Sequence, residues 1–275
     1  MYLTTEALKT FREEGLLRQL QLVEPERALA LREVLQREVL ERPSTAESHK
    51  DFLPKMQFEN DRHLDSRLVF ELCTLPEIIG PITQLIGDNV MLFRSQFFNK
   101  QAQAPEIPWH QESHFWNVEK RWVTLWLAVD EVTQSNGLLQ LVPGSHDSTR
   151  EHVQIPVDTG YWSTFKWMAN LKHSDQILDC PTAAGEFMLF DDLLHRSLAN
   201  TTSSPRLAFA ARYASPDLVG VHENAYPGHR CLLVSGSADK SPLHFAPPPQ
   251  NGPGLADVYA AINERPKNQV KARVT

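Results

Sequence analysis

At 275 residues the chain can bury one sizeable core, and β-rich barrels of this length commonly fold as one unit. Its 34 acidic against 27 basic side chains leave a formal net charge of −7, which argues against nucleic acid or an anionic membrane surface as the main partner. Cys73, Cys180 and Cys231 lie far apart with no C-x-x-C pair, so a reducing cytoplasm is expected, and neither a signal-peptide pattern nor a membrane-length apolar run is present.

Residues 4–14 place Ala7, Leu8 and Phe11 at helical spacing and stop at Gly15, a C-terminal cap. Residues 16–23 alternate as a strand would. Pro25 opens a second helix with Leu29, Leu31, Val34, Leu35 and Val39 on one stripe, ending near Pro43. Residues 44–66 are polar and read as a loop apart from 52–56, and helices are expected over 66–73 and after Pro76. From Val90 the texture changes to short apolar runs at 90–99, 122–129, 138–142, 153–157, 176–180, 186–191 and 206–214. Asn136-Gly137 is a hairpin signal and Pro143-Gly144-Ser145 a second break. The pattern predicts a β-rich α+β fold in one domain: a helical layer over about 1–89, a closed sandwich or double-sheet roll over 90–215, and a lid and polar tail over 216–275.

Two stretches carry the chemistry. The first reads Trp109-His110-Gln111-Glu112; the second runs from Gly185-Glu186-Phe187 through Phe190-Asp191 to His195, with Arg206 beyond it. Two imidazoles and one carboxylate on one face of an iron define the facial triad of non-heme Fe(II) oxygenases. On an extended segment residues i and i+2 project to the same side, so His110 and Glu112 can converge on one ion while Gln111 points away. A guanidinium fork pairs a carboxylate through two hydrogen bonds, so Arg206 suits the far carboxylate of 2-oxoglutarate. The even-numbered residues of 206–213 share a face, and small Ala208 and Ala210 leave room there for a compact ligand. Arg212 shares that face, with a solvated surface arginine as its alternative. His114 reads as a surface or pocket-wall residue.

Together with Phe97-Phe98-Asn99-Lys100, Asn136-Gly137-Leu138-Leu139, Pro143-Gly144-Ser145-His146, His195-Arg196-Ser197 and Asn200, these stretches resemble the phytanoyl-CoA dioxygenase family of Fe(II)/2-oxoglutarate-dependent oxygenases over roughly residues 5–215. The resemblance implies a double-stranded β-helix (jelly-roll, cupin-like) core flanked by N-terminal helices. It also implies Fe(II) held by His110, Glu112 and His195, and 2-oxoglutarate held by Arg206. By position in the family pattern, Lys55, Gln96, Trp126 and Ser197 line the cosubstrate pocket, although Trp126 could equally be a core aromatic and Gln96 could face the substrate. One departure stands out: the family usually has Asp where this chain has Glu112, whose arm is longer by one carbon–carbon bond of about 1.5 Å. A carboxylate is retained, and it fills the place that halogenating relatives leave open for chloride.

The activity so implied is oxidation of an unactivated C–H bond of a small organic metabolite, possibilities including a natural-product intermediate. Hydroxylation comes first, with desaturation or ring closure as variants, and 2-oxoglutarate and O₂ are converted to succinate and CO₂. Phe98, Trp116, Arg212 and Trp162 are the candidate substrate-facing residues. Aromatics of 147–180 (Tyr161, Trp162, Phe165, Trp167) and residues of 215–245 (His222, Tyr226, His229) read as a lid. A small-molecule substrate is expected, with no nucleic acid or membrane partner, and a monomer or homodimer. Two other readings stay open: an isomerase or hydrolase using Zn or Mn on the same barrel, and a relative that binds a ligand without turnover.

Overall fold

Residues 2–49, 56–116, 122–156, 166–217 and 228–263 are described by the computed structural model. Thr4 caps α1 (Thr5–Glu14) by accepting a hydrogen bond from Ala7 N, and Gly15 ends the helix at φ 72°, as its place in the sequence predicts. The chain passes directly into β1 (Leu16–Gln21). Pro25 then opens α2 (Pro25–Leu35), which continues as a π-helical turn over Gln36–Leu40. Helices α3 (Met56–Glu59), α4 (Arg67–Cys73) and α5 (Pro76–Ile86) complete the N-terminal layer.

The 44–66 segment departs from its reading as a polar loop. Asn60, Asp61, Arg62 and His63 are all buried. Asp61 N donates to Ser95 O at 2.7 Å, and Ser95 N returns a bond to Asp61 Oδ1 at 2.9 Å. Arg62 reaches Asp65 and the carbonyls of Val39 and Arg42. Polar side chains remain inside when hydrogen-bond partners are built around them.

The strands are β2 (Val90–Lys100), β3 (Ile107–His110), β4 (Trp122–Ala128), β5 (Leu139–Leu141), β6 (His152–Gln154), β7 (Trp167–Ala169), β8 (Leu178–Cys180), β9 (Glu186–Phe190), β10 (His195–Ser197), β11 (Arg206–Ala214) and β12 (Leu232–Ser235). A six-stranded antiparallel sheet in the order β1-β9-β4-β11-β2-β12 packs against a four-stranded sheet, β3-β10-β5-β8, with β6-β7 as a separate pair. This is the jelly-roll core flanked by helices that the resemblance implies. A short helix α6 (Ser113–Trp116) follows β3.

The two-residue period of the strands sorts their side chains between core and cavity. On β11, Leu207, Phe209, Ala211 and Tyr213 pack into the helical layer with Leu31, Leu35, Leu72 and Ile82, whereas Arg206, Ala210 and Arg212 face a cavity between the sheets. On β4, Val123, Leu125 and Leu127 join the helices while Thr124 and Trp126 line the cavity. Tyr213 donates its hydroxyl hydrogen to Cys73 O at 2.8 Å, fastening β11 to α4. In β2 the register puts Arg94 opposite Arg212 and Leu92 opposite Tyr213, leaving Phe93 as the extra residue of a bulge. Past the bulge, Arg94, Gln96, Phe98 and Lys100 all line the cavity.

Three expectations are corrected. Asn136-Gly137 does not close a hairpin, because β4 and β5 belong to different sheets and the turn carries the chain between them. The 216–275 stretch is not only lid and tail. Its β12 pairs with β2 at the sheet edge, and α7 (Leu255–Asn263) buries Leu255 and Val258 in the helical core. The runs forming β7 and β12 were not expected as strands, being too short to show alternation. The tail at 267–275 lies outside the described residues. Among the described residues no single helix is long and apolar enough to cross a membrane, and all three cysteines are buried and free.

Candidate metal centre

His110 closes β3 and His195 opens β10. The two strands are neighbours, and these residues stand opposite one another in register with ring centroids 4.2 Å apart. Each ring is turned by the main chain: His110 Nδ1 lies 2.7 Å from Pro108 O, and His195 Nδ1 lies 2.8 Å from Leu193 O. A carbonyl can only accept, so each Nδ1 carries the hydrogen and each Nε2 keeps a lone pair for a metal. Burial, then the neighbouring His195, lowers His110 to about 3 against the pull of Glu112. Burial lowers His195 as well. Both imidazoles are therefore neutral, the form that ligates.

Glu112 does not lie on the strand. β3 ends at His110, and Glu112 starts the turn into α6, its carbonyl accepting from Phe115 N at 2.9 Å and Trp116 N at 3.1 Å. The convergence expected from an extended segment is reached by this turn instead. One donor atom from each of His110, Glu112 and His195 lies within 4.8 Å of the others, and among the described residues no other group of His, Cys, Asp or Glu does so. Burial works against the Glu112 charge, but the charge and hydrogen bond of Arg212 hold the carboxyl at about 2.

Arg212 accounts for much of that shift. Its Nη2 donates to Glu112 Oε1 at 2.5 Å, and its guanidinium lies 5.1 Å from the centroid of the Trp116 ring. Arg212 thus faces inward, but its nearest anionic partner is Glu112.

The motif residues between the donors hold the loops. Gln111 points away from the site, fully buried. Its Nε2 donates to Asp192 O at 2.9 Å and Ser145 O at 3.2 Å, and its Oε1 accepts from Arg150 N at 2.7 Å. Ser145 Oγ accepts from Leu194 N at 2.8 Å and donates to Val142 O at 2.6 Å, fixing the residue before His195. Neither signal is readable as a role without the fold, because both act on main chain far away in sequence.

Two residues along β10 from His195, Ser197 meets Arg206. Arg206 is 2 % exposed; its Nη2 donates to Gly137 O at 2.8 Å and lies 3.5 Å from Ser197 Oγ, and its guanidinium carbon is 5.6 Å from the centroid of Trp126. Among the described residues its Nη1 has no hydrogen-bond partner. Gly137 sits at φ 95°, and a Cβ there would meet Leu198 O at 2.7 Å and Lys100 Cδ at 2.8 Å, so the turn admits only glycine. Burial lowers Arg206 to about 10, still a cation at neutral pH.

The cavity holds about 490 Å³ and is lined by His110, Glu112, His195, Arg206, Ser197, Gln96, Trp126, Phe98, Trp116 and Arg212 among others. Lys55 and Trp162 lie outside the described residues, as do Tyr161, Phe165, His222 and Tyr226. Trp167 lines the cavity, whereas His229 is buried away from it, bonding Phe93 O at 2.6 Å, and is corrected from lid to core. His114 stacks on His152 with ring centroids 4.0 Å apart. Among the cavity residues that the sequence reading missed are Arg94 and Lys100, whose Nζ lies 3.2 Å from Ser197 Oγ. Lys100 was visible only as part of a family motif.

Two neutral imidazoles and an ionised carboxylate fit Fe(II), and a buried arginine with an unused N–H group, one strand repeat away, fits the far carboxylate of 2-oxoglutarate. Comparison with known proteins agrees. The chain is 27% identical over 180 residues to the peroxisomal phytanoyl-CoA dioxygenase of Homo sapiens, covering 62% of this chain and 52% of that protein. It is 28% identical over 193 residues to L-proline trans-4-hydroxylase of Streptomyces griseoviridis, covering 65% and 66%. It spans about half the length of the curated phytanoyl-CoA dioxygenases it matches. The solved apo structure of the non-heme monooxygenase ThoJ shares the fold with a TM-score of 0.68 at 19% identity, over 97% of this chain and 99% of that one. The phytanoyl-CoA dioxygenase (PhyH) profile matches residues 11–208, and the chain belongs to that family.

Proposed function

We propose that the protein is an Fe(II)/2-oxoglutarate-dependent oxygenase that oxidises, by hydroxylation in the first instance, an unactivated C–H bond of a small organic metabolite, with release of succinate and CO₂. The observation that carries this reading is the convergence of His110, Glu112 and His195 within 4.8 Å in a cavity that also contains the buried Arg206. Bound Fe(II) would supply the O₂-dependent oxidation; the protein's task is to hold, orient and keep dry.

In this reading His110 Nε2, His195 Nε2 and a Glu112 oxygen hold the metal. The Pro108 and Leu193 carbonyls fix the tautomers, and Gln111 and Ser145 fix the loops. Arg212 positions Glu112, and the longer glutamate arm allows one carboxylate to meet both Arg212 and the metal. Arg206 and Ser197 take the far carboxylate of 2-oxoglutarate beside Trp126 and Gln96, with Lys55 a further candidate. Phe98, Phe115, Trp116, Trp167 and Phe190 form an aromatic wall against which an organic substrate packs, with Trp162 a further candidate. The cavity volume suits a small molecule, and a hydroxylase named for L-proline is among the relatives. Three free, buried cysteines favour a cytoplasmic setting.

The test supplies Fe(II), 2-oxoglutarate and O₂ with a panel of metabolites and measures succinate and bound iron. His195→Ala is expected to lose both iron and turnover; retained turnover would remove the ligand assignment. Turnover with Zn or Mn and no succinate would move the protein to another chemistry. Iron binding without 2-oxoglutarate consumption would favour a binding role.

A further inference from the structure

The cavity face of β11 carries an arginine at each end, Arg206 and Arg212, with α-carbons roughly 20 Å apart by strand rise. At the Arg212 end a polar row crosses the three central strands. The register sets Thr124 of β4 on one side of Arg212 and Arg94 of β2 on the other, and all three line the cavity. Arg94 lies 3.3 Å from the buried Asp61. Arg212 is only half used by Glu112. The Nε–H and one Nη2–H of a guanidinium lie parallel on one edge, the fork that a carboxylate takes with both oxygens. Glu112 Oε1 accepts from Nη2 at 2.5 Å, whereas Nε has no hydrogen-bond partner among the described residues. The Thr124 Oγ1 is likewise buried and, among the described residues, without a partner. Arg212 is 6 % exposed and Thr124 2 %, so both groups are shielded from water and are costly until an acceptor arrives. When Glu112 serves a metal ion its charge is shared with that ion, which leaves the buried guanidinium short of negative charge.

We propose that this row is an acid subsite: the substrate is a small carboxylic acid whose carboxylate is received by Arg212 Nε and the Thr124 hydroxyl. This deepens the function proposed above and rests on it. A carboxylate placed there fills the open half of the Arg212 fork, satisfies the threonine hydroxyl and restores the negative charge that Glu112 gives to the metal. The guanidinium that takes the acid also holds Glu112, so the C–H bonds nearest the carboxyl are the ones presented to the metal centre. Trp116, whose ring centroid lies 5.1 Å from the Arg212 guanidinium carbon, offers the adjoining carbons an apolar face. The two ends of β11 then divide the labour, Arg206 for the cosubstrate and Arg212 for the substrate.

The test titrates acetate and benzoate, each against its primary amide, into anaerobic protein loaded with Fe(II) and saturating 2-oxoglutarate, which keeps the Arg206 end occupied. Tryptophan fluorescence reports binding, since Trp116 and Trp126 line the cavity. Each acid is expected to bind roughly tenfold or more tightly than its amide. Arg212→Gln is expected to erase that preference, with iron content and 2-oxoglutarate affinity measured alongside because Arg212 also holds Glu112. Thr124→Val leaves the Arg212–Glu112 pair in place and is expected to weaken acid binding roughly threefold or more while iron and 2-oxoglutarate binding stay unchanged. If Arg212→Gln loses iron, Thr124→Val decides the question. Equal binding of acid and amide, no saturable acid binding, or acid affinity unchanged in either variant overturns the acid subsite and leaves the oxygenase reading standing. An iron-loaded protein that binds no 2-oxoglutarate overturns that reading and this inference with it.

Discussion

Two carboxylates in this molecule, the half-buried Glu112 and the fully buried Asp61, each sit beside an arginine and two histidines, yet only one of them belongs to a candidate metal centre. Asp61 lies 3.3 Å from Arg94 Nε and 4.0 Å from His229 Nδ1, with His63 close by. Burial opposes its charge, but Arg94 and the Ser95 N–H hold it at about 2, the same level as Glu112. What differs is convergence: one donor atom from each of His110, Glu112 and His195 lies within 4.8 Å of the others, and among the described residues the groups around Asp61 do not meet in this way. His63 Nδ1 is engaged with Ser95 Oγ at 2.7 Å, His229 Nε2 with Phe93 O at 2.6 Å, and Asp61 Oδ1 with Ser95 N. These contacts fasten the 60–63 turn to β2, in which the bulge turns Arg94 toward the cavity. At Glu112 the Pro108 and Leu193 carbonyls turn both imidazoles so that the remaining nitrogens approach the carboxylate. Residue type alone does not make a metal site; the main chain decides which way the donors face.

The sharpest way to break this comparison is to remove one member of each cluster. His195→Ala is expected to abolish iron binding while leaving the unfolding free energy of the metal-free protein nearly unchanged. Asp61→Asn removes the buried carboxylate that faces Arg94 and is expected to lower that free energy by about 3–5 kcal/mol while the folded fraction still binds iron. Denaturant titration and metal analysis of both variants check the pair. Reversed outcomes, with iron lost in Asp61→Asn and not in His195→Ala, would exchange the two roles.

Within the cavity, Arg206→Ala removes the buried cation without touching the donors. The 2-oxoglutarate requirement is expected to rise by about two orders of magnitude or more, on the basis of roughly 3–5 kcal/mol for one partner of a buried charge pair, with iron affinity preserved. An unchanged requirement would move the clamp elsewhere on β11.

The smallest effect concerns acid. Burial, opposed by Asp61, lowers His63 to about 3 and His229 to about 4, both below the 6.5 of an exposed imidazole. Below pH 6.5 the unfolded chain takes up protons that the folded chain refuses. Stability is therefore full above that pH and declines as pH falls toward 4, by up to ~1.4 kcal/mol per pH unit for each imidazole. Asp61 adds its own loss between about 4 and 2. Denaturant titrations of the metal-free protein near pH 7 and pH 5 read the slope, and His63→Gln should reduce it. A flat profile over that interval would mean these imidazoles are not held neutral.

The same comparison shows what was legible in the sequence. The inner face of β11 could be read from Arg206, Ala208, Ala210 and Arg212, because a two-residue period survives without any tertiary information. His110 and Glu112 could be paired by spacing, although the turn into α6 and not the pleat brings them together. The Asp61 cluster could not. Asp61, Arg62 and His63 look like a solvated loop because their partners on β2 and in the 228–231 stretch are distant in sequence. Lys100 was hidden for a related reason, since a lysine at a strand end reads as a solvated terminus until Ser197 and Arg206 are folded over it. Arg212 faced the way its period predicted, but its partner is Glu112, from the β3–α6 turn.

The most direct measurement is anaerobic addition of Fe(II) and then 2-oxoglutarate to the metal-free protein, followed by visible absorption. The account predicts a weak visible band that saturates at one 2-oxoglutarate per chain and is absent in His195→Ala. A folded, iron-loaded protein that gives no such band at saturating 2-oxoglutarate would contradict it, and would show that the glutamate centre does not take the cosubstrate at its metal.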